Sequence, residues 1–130
     1  MTIIKLKGTD NDLYKYIGPF AMNKKVLDYF GYPIYTTEKR EWLVVLENEV
    51  VLSFCSIEYT KPTINIGNLY YTDKSSRIKS LIKECIKIWN KSPQDKIRVY
   101  LNVNDKEVIS LLGFEFKRGK ETLVFEKEKK

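Results

Sequence analysis

No histidine occurs in these 130 residues. That absence removes every Ser-His or Cys-His nucleophilic arrangement, and it takes away the commonest nitrogen ligand of zinc. Proton transfer then falls to Glu, Asp, Tyr, Lys, Cys, a chain terminus or water. Cysteine is nearly as scarce: Cys55 and Cys85 are the two present, too few for a disulfide scaffold or a metal cluster. Cys55 sits in a strand pattern and Cys85 on a helical stripe, where reduced thiols behave as small core side chains. No apolar run approaches the roughly 18 residues that span a bilayer. The start, Met1-Thr2-Ile3-Ile4-Lys5-Leu6-Lys7, alternates like a strand and lacks the apolar centre of a signal peptide. The expectation is a cytoplasmic protein with no membrane partner. Repeats, linkers and low-complexity segments are missing too, the last five residues apart.

What is present suits one folded unit. Hydrophobic residues make up 43 % of the chain, enough for one real core. The reading is a single domain over residues 1–127 and a charged tail over 128–130, with Lys127, Lys129 and Lys130 expected to fray. Net charge is +6, which favours anionic partners: nucleic acid, a phosphorylated cofactor or an acidic protein.

The chain is organised around the stretch from Thr63 to Asn90. A strand over Thr63–Tyr71 leads through the basic turn Thr72-Asp73-Lys74-Ser75-Ser76-Arg77 into a long helix. Ile78, Leu81, Ile82, Cys85, Ile86 and Trp89 form one apolar stripe at helical period. Lys79, Lys83, Glu84, Lys87 and Asn90 take the other face. A helix that starts straight after a strand aims N–H groups and the positive end of its dipole at the junction, a natural seat for phosphate. Cations at Lys74, Arg77 and Lys79 oppose that dipole, which again points to an anion there. Within the strand, Ile64, Ile66, Asn68 and Tyr70 are expected on one face, and Asn65, Gly67, Leu69 and Tyr71 on the other. Gly67 suggests a bulge or a close backbone approach.

The flanking segments read as follows. Residues 2–7 form a first strand closed by Gly8. Thr9-Asp10-Asn11-Asp12 can cap a short helix through Leu13, Tyr14, Tyr16 and Ile17, stopped by Gly18-Pro19. A second helix covers Met22–Phe30, with Val26, Leu27 and Phe30 inward. The aromatic segment Tyr29–Tyr35 lines a cleft or closes a core edge. Trp42–Leu46 and Val50–Ile57 make a hairpin around Glu47-Asn48-Glu49, since Asn tolerates the left-handed backbone of tight turns. Both strands are almost continuously apolar, as strands covered on two faces are. Ile97–Val103 is another strand. Asn104-Asp105-Lys106-Glu107 resembles a capping box before a short helix through Val108, Ile109, Leu111 and Leu112, ended by Gly113. Phe114–Lys117 and Thr122–Phe125 close the chain as a hairpin, whose Phe-rich edge suits pairing into a homodimer.

This order of elements resembles the GNAT superfamily of acyl-CoA N-acyltransferases. Trp42 to Ile57 looks like that family's second and third strands, Asn68-Leu69-Tyr70-Tyr71 like the end of its fourth strand, and residues 75–91 like the helix that follows. The run from Asn104 to Glu115, with Leu112-Gly113-Phe114-Glu115, is similar to its late Asn…Leu-Gly-Phe-Glu block. The resemblance implies an α/β (α+β) fold: a mixed, mostly antiparallel central sheet of about six or seven strands with helices on both faces. It implies acetyl-CoA, or another acyl-CoA, as cofactor and a small-molecule or protein amine as acceptor.

Residue by residue, the family's mechanics place the pantetheine arm in a gap between the fourth and fifth strands, against the backbone of Leu69, Tyr70 and Tyr71. The pyrophosphate meets Lys74, Ser75, Ser76, Arg77, Ile78 and Lys79, and Asn104 completes the cofactor-binding set. Glu58 is the candidate general base, a backbone N–H at Tyr70 or Tyr71 the oxyanion donor, and Ser110, or the nearby Tyr100, the candidate acid. Two features depart from the family. The turn has no glycine where the family carries Arg/Gln-x-x-Gly-x-Gly/Ala, and Ile109 stands where a tyrosine often protonates the departing thiolate. The alternative function is therefore a catalytically degenerate GNAT-like binding protein of phage or mobile-element type, or a DNA-modifying variant of the fold.

Overall fold

Alternating and continuous apolar segments build seven strands, and they join into one sheet in the order β1-β2-β3-β4-β5-β7-β6. The computed structural model describes residues 2–30, 34, 36–71, 75–102, 112–120 and 122–129, without the side chains of 29, 30, 75–78 and 102. The elements are β1 (Thr2–Lys7), α1 (Asp12–Ala21), α2 (Lys24–Phe30), β2 (Arg40–Glu47), β3 (Val50–Tyr59), β4 (Thr63–Tyr71), α3 (Ser75–Asn90), β5 (Lys96–Asn102), β6 (Glu115–Arg118) and β7 (Thr122–Glu128). β4 and β5 are parallel; the other neighbouring strands are antiparallel. The mixed, mostly antiparallel sheet agrees with the expectation, and helices cover both faces.

Each face has its own core. On one, the stripe of α3 puts Leu81, Ile82, Cys85 and Trp89 against Leu43, Val45, Cys55, Ile57, Ile64, Ile66, Leu69, Ile97 and Val99. Each large side chain buried here contributes roughly 1.5–3 kcal/mol by transfer from water. Cys55 and Cys85 are free, buried thiols with their Sγ atoms 3.7 Å apart. On the other face Leu13, Ile17 and Val26 of α1 and α2 cover Trp42, Val44 and Phe54. The double-sided burial of β2 and β3 follows from their lack of alternation.

Local signals set several boundaries. The β2–β3 turn has Asn48 at φ 52° and Glu49 at φ 66°, the paired left-handed conformation of a two-residue hairpin turn. The Asp10 carboxylate accepts from Asp12 N at 3.0 Å at the start of α1. The Asn23 side chain accepts from Lys25 N at 2.9 Å, so α2 begins at Lys24 rather than Met22. α1 does not stop at Gly18-Pro19 but carries Pro19 inside it. Pro19 forfeits one helical hydrogen bond, and the extra turn sets Phe20 against Phe54 and Tyr70, ring centroids 5.1 and 5.8 Å away.

The C-terminal strand runs further than its charge suggested. β7 runs to Glu128. Lys127 Nζ donates to Leu112 O, and Lys129 donates through its backbone to Asp95 O and through Nζ to Ser92 O. Lys127 and Lys129 are thus held, not frayed. The expected capping box at 104–107 and the helix after it lie outside the described residues.

β4 also departs from simple alternation. Phe54 pairs with Tyr70 and Ser56 with Gly67, so Asn68 and Leu69 together oppose Cys55. The bulge expected at Gly67 is one residue later, with Asn68 at φ 49°. An extra residue reverses the facing of everything after it. Leu69 and Tyr71 join Ile64 and Ile66 on the α3 side, and Tyr70 goes to the α1 side. The expected faces hold up to Gly67 and are exchanged beyond it.

Candidate functional site

β4 and β5 pair from Thr63↔Lys96 to Ile66↔Val99 and no further among the described residues. Both strands continue, to Tyr71 and Asn102. The sheet therefore opens into a wedge beyond Ile66, next to the bulge at Asn68. α3 starts at Ser75, shortly after β4 ends at Tyr71, and packs back over the sheet. Its amino end lies on the side toward which the wedge opens.

On the sheet face away from α3, a cavity of about 470 Å³ is lined by Arg40, Ser56, Glu58, Thr60, Asn65, Gly67, Asn68, Arg98 and Tyr100. Strand register explains why these residues meet. Arg40 is opposite Glu58, Glu58 opposite Asn65, Asn65 opposite Arg98, and Arg98 opposite Glu126. Directly opposed residues share a face, so one polar row crosses β2, β3, β4, β5 and β7. The next row along contributes Ser56, Gly67 and Tyr100. Gly67, without a side chain, keeps the floor open.

The row is wired by charge. Arg98 Nε donates to Glu126 Oε2 at 2.6 Å, and Lys96 Nζ lies 3.5 Å from Glu126 Oε1. The Glu126 side chain is 8 % exposed. Its burial raises the carboxyl pKa, but the hydrogen bond and charge of Arg98, aided by Lys96, outweigh that and hold it below the ordinary carboxylate value. Glu126 in turn holds the Arg98 guanidinium above its usual value, with a smaller effect from Tyr100. On the other side of the cavity Arg40 Nη1 donates to Asn68 Oδ1 at 3.0 Å, and Ser56 Oγ donates to the same oxygen at 3.1 Å. Arg40 Nε lies 3.7 Å from Glu58 Oε2, an ion pair longer than a hydrogen bond.

The structure places the expected site residues unevenly. Glu58 lines the cavity, and Asn68 stands beside it. Leu69 is buried toward α3, Tyr70 packs against Phe20 and Phe54, and the Tyr71 ring lies against the α3-side core, on the opposite face from the cavity. Ser75, Ser76, Arg77 and Ile78 form the first turn of α3, and Lys79 follows half-buried. Lys74, Asn104 and Ser110 lie outside the described residues. Arg40, Ser56, Asn65 and Arg98 were not expected. The available signal was a charged residue inside an alternating strand, Arg98 between Ile97 and Val99, but its neighbours depend on register between distant segments. Among the described residues no group of three or more Cys, Asp or Glu could hold a metal, and no helix is long and apolar enough to cross a membrane.

No family model and no curated protein matches the sequence. Solved structures do match. Escherichia coli ElaA superposes with a TM-score of 0.75 at 10 % identity, covering 98 % of this chain and 100 % of that one. An acyl-CoA N-acyltransferase from Pseudomonas aeruginosa gives 0.73 at 9 % identity over 98 % and 99 %. The N-acetyltransferase PseH of Campylobacter jejuni, solved with acetyl coenzyme A, gives 0.65 at 13 % identity over 99 % and 100 %. With the sheet order, the bulge and the wedge, these likenesses show that the chain has the acyl-CoA N-acyltransferase fold.

Proposed function

We propose that the protein is an acyl-CoA-dependent N-acyltransferase, most simply an acetyltransferase, acting on an amine by direct attack. The observation that carries this reading is the wedge between β4 and β5, with the amino end of α3 on one side and a polar cavity on the other. Two structural neighbours solved with acetyl coenzyme A or CoA support the same cosubstrate.

The residues present fit that group. Beyond Ile66, β4 runs on without a paired β5 residue among the described residues, so the pantetheine amides would have strand backbone at Leu69 to Tyr71 to align with. The first turn of α3 presents backbone N–H groups, and the sequence there, Lys74, Ser75, Ser76, Arg77 and Lys79, offers charge and hydroxyls suited to a pyrophosphate. Bound there, the cosubstrate supplies an activated thioester. Glu58 takes a proton from the acceptor amine, directly or through water. The amine nitrogen attacks the carbonyl carbon, the C–N bond forms, the C–S bond breaks, and the departing thiolate takes the second nitrogen proton, relayed by water, to leave as the thiol. A backbone N–H of Tyr70 or Tyr71 meets the oxyanion, and holding both reactants in one geometry supplies much of the acceleration.

Calorimetry with acetyl-CoA tests the reading. The expected result is micromolar binding that weakens about tenfold in Arg77→Ala, the loss of roughly 1.4 kcal/mol that one phosphate contact makes. Millimolar or absent binding, unchanged in Arg77→Ala, would overturn it.

A further inference from the structure

The solvent side of α3 carries charge in an order that packing does not require. Lys83 and Lys87 stand four residues apart on the helix, and Lys91 follows after another four, on the turn closed by Lys91 N donating to Ile88 O. Each step along that row is ~6 Å, and residues so spaced are neighbours on one helix face. All three lysines are exposed, and so is Asn90 among them. Lys129 stands beside the C-terminal end of α3, its Nζ 5.4 Å from the centre of the Trp89 ring and donating to Ser92 O.

Little on the protein answers this charge. Glu84 lies 3.7 Å from Lys87 Nζ, and the Lys87 side chain is 72 % exposed, so the pair is weak. Lys83 and Lys91 have no ion-pair partner among the described residues. The helix dipole favours cations in the last turn, but it does not account for Lys83. Like charges four residues apart weaken a helix, so the row is not there for helix stability.

The same face offers nothing apolar. Among the described residues the exposed large apolar side chains are Tyr14, Met22, Val50 and Phe116, none of them on α3. Protein interfaces centre on apolar and aromatic side chains and are poor in lysine, and a helix that lies on a membrane needs an apolar face to bury. A straight row of lysines suits a polyanion met through its backbone. Duplex DNA carries one negative charge for every ~1.7 Å of its axis, so such a row finds phosphate at each step.

We propose that the solvent face of α3 is a docking surface for the phosphate backbone of duplex DNA, carried by Lys83, Lys87 and Lys91 and indifferent to base sequence. It is independent of the acyltransferase reading, because the row lies on the α3 side of the sheet and the polar cavity on the other.

The test uses the full chain and a short labelled duplex of arbitrary sequence, with fluorescence anisotropy read at several salt concentrations. Three phosphate contacts give a log–log salt slope of about −2.7, so binding should weaken roughly fortyfold between about 50 and 200 mM salt. Replacing all three, Lys83→Gln, Lys87→Gln and Lys91→Gln, should flatten most of that slope and weaken low-salt binding by about tenfold or more. The same loss of charge at Lys15, Lys24 and Lys25, exposed on the helices of the opposite face, should leave binding within about twofold. Circular dichroism of both variant sets shows any folding loss separately, and the salt slope of the unaltered protein stands whatever the variants do. Absent binding at the lowest salt, a salt-indifferent signal, or equal losses in the two sets overturns the proposal. So does tighter binding to polyglutamate or to phosphatidylserine vesicles than to the duplex, which would make the row a protein or membrane contact.

Discussion

Replacing Glu126 by glutamine removes one negative charge from the polar row and changes little else in shape. Arg98 keeps an acceptor at the former Oε2 distance of 2.6 Å but loses the charge, and Lys96 at 3.5 Å loses its buried anion. Removing one partner of a fully buried pair costs about 3–5 kcal/mol. Arg98 and Lys96 are each 26 % exposed, so water screens part of that and about 2 kcal/mol is expected. For a chain of this size that is a drop in Tm of roughly 6–10 °C. The pH dependence is the sharper readout. The folded Glu126 carboxyl titrates below its ordinary value. Its contribution is therefore fully present above the unfolded glutamate value of about 4.3 and is lost as pH falls through the folded value. Urea denaturation of both proteins across the acid range should show the gap narrowing below about pH 4. Pairing Arg98→Met with Glu126→Gln in a double-mutant cycle should return a coupling of about 1–3 kcal/mol. A gap below about 0.5 kcal/mol, or one indifferent to pH, would refute the assignment of this pair as the anchor of the row.

Three further outcomes are expected. Glu49→Gly should stabilise the fold by about 0.5–1 kcal/mol in denaturant melts, because Glu49 is held at φ 66° where a side chain is strained and glycine is not; destabilisation would contradict the turn geometry. Gly67→Leu should leave the melting temperature within a few degrees, since a Cβ there meets only Ser56 Oγ at 3.4 Å, while filling the cavity floor and cutting acceptor kcat/KM about tenfold or more; retained kcat/KM would place the acceptor elsewhere. Cys55 and Cys85 should resist thiol reagents in the native protein and react on unfolding, because both are buried and burial, with the neighbouring Cys85 thiol, pushes the Cys55 thiol well above its ordinary value; rapid native labelling would mean that the α3 side opens.

Much of the fold lay in local pattern. The stripe from Ile78 to Trp89 could bury only as a helix, and Asn48 between two apolar runs could only be a tight turn. The bulge was legible to within one residue, from Gly67. What alternation could not supply was its consequence, because one added residue exchanges the faces of Leu69, Tyr70 and Tyr71 without any mark in their identities. The cavity was less visible still. Glu58 looked like a site residue, but Arg40 and Arg98 become neighbours of the same hollow only through pairing across four strands. Pro19 misled in the other direction: the helix runs on through it to the turn that seats Phe20 against Phe54 and Tyr70.

The parallel seam between β4 and β5 is four residue pairs long, and it joins a four-stranded sector to a three-stranded one. Among the described residues, the helix that bears Leu81 and Trp89 straps the two sectors on one face, and the Asn65–Arg98 contact joins them on the other. A sheet stitched so briefly resembles a book with a short spine, its covers steadied by one strap. The angle between the covers is then governed by few contacts, the Asn65–Arg98 rung among them, so anything that grips that rung also trims how wide the pages stand.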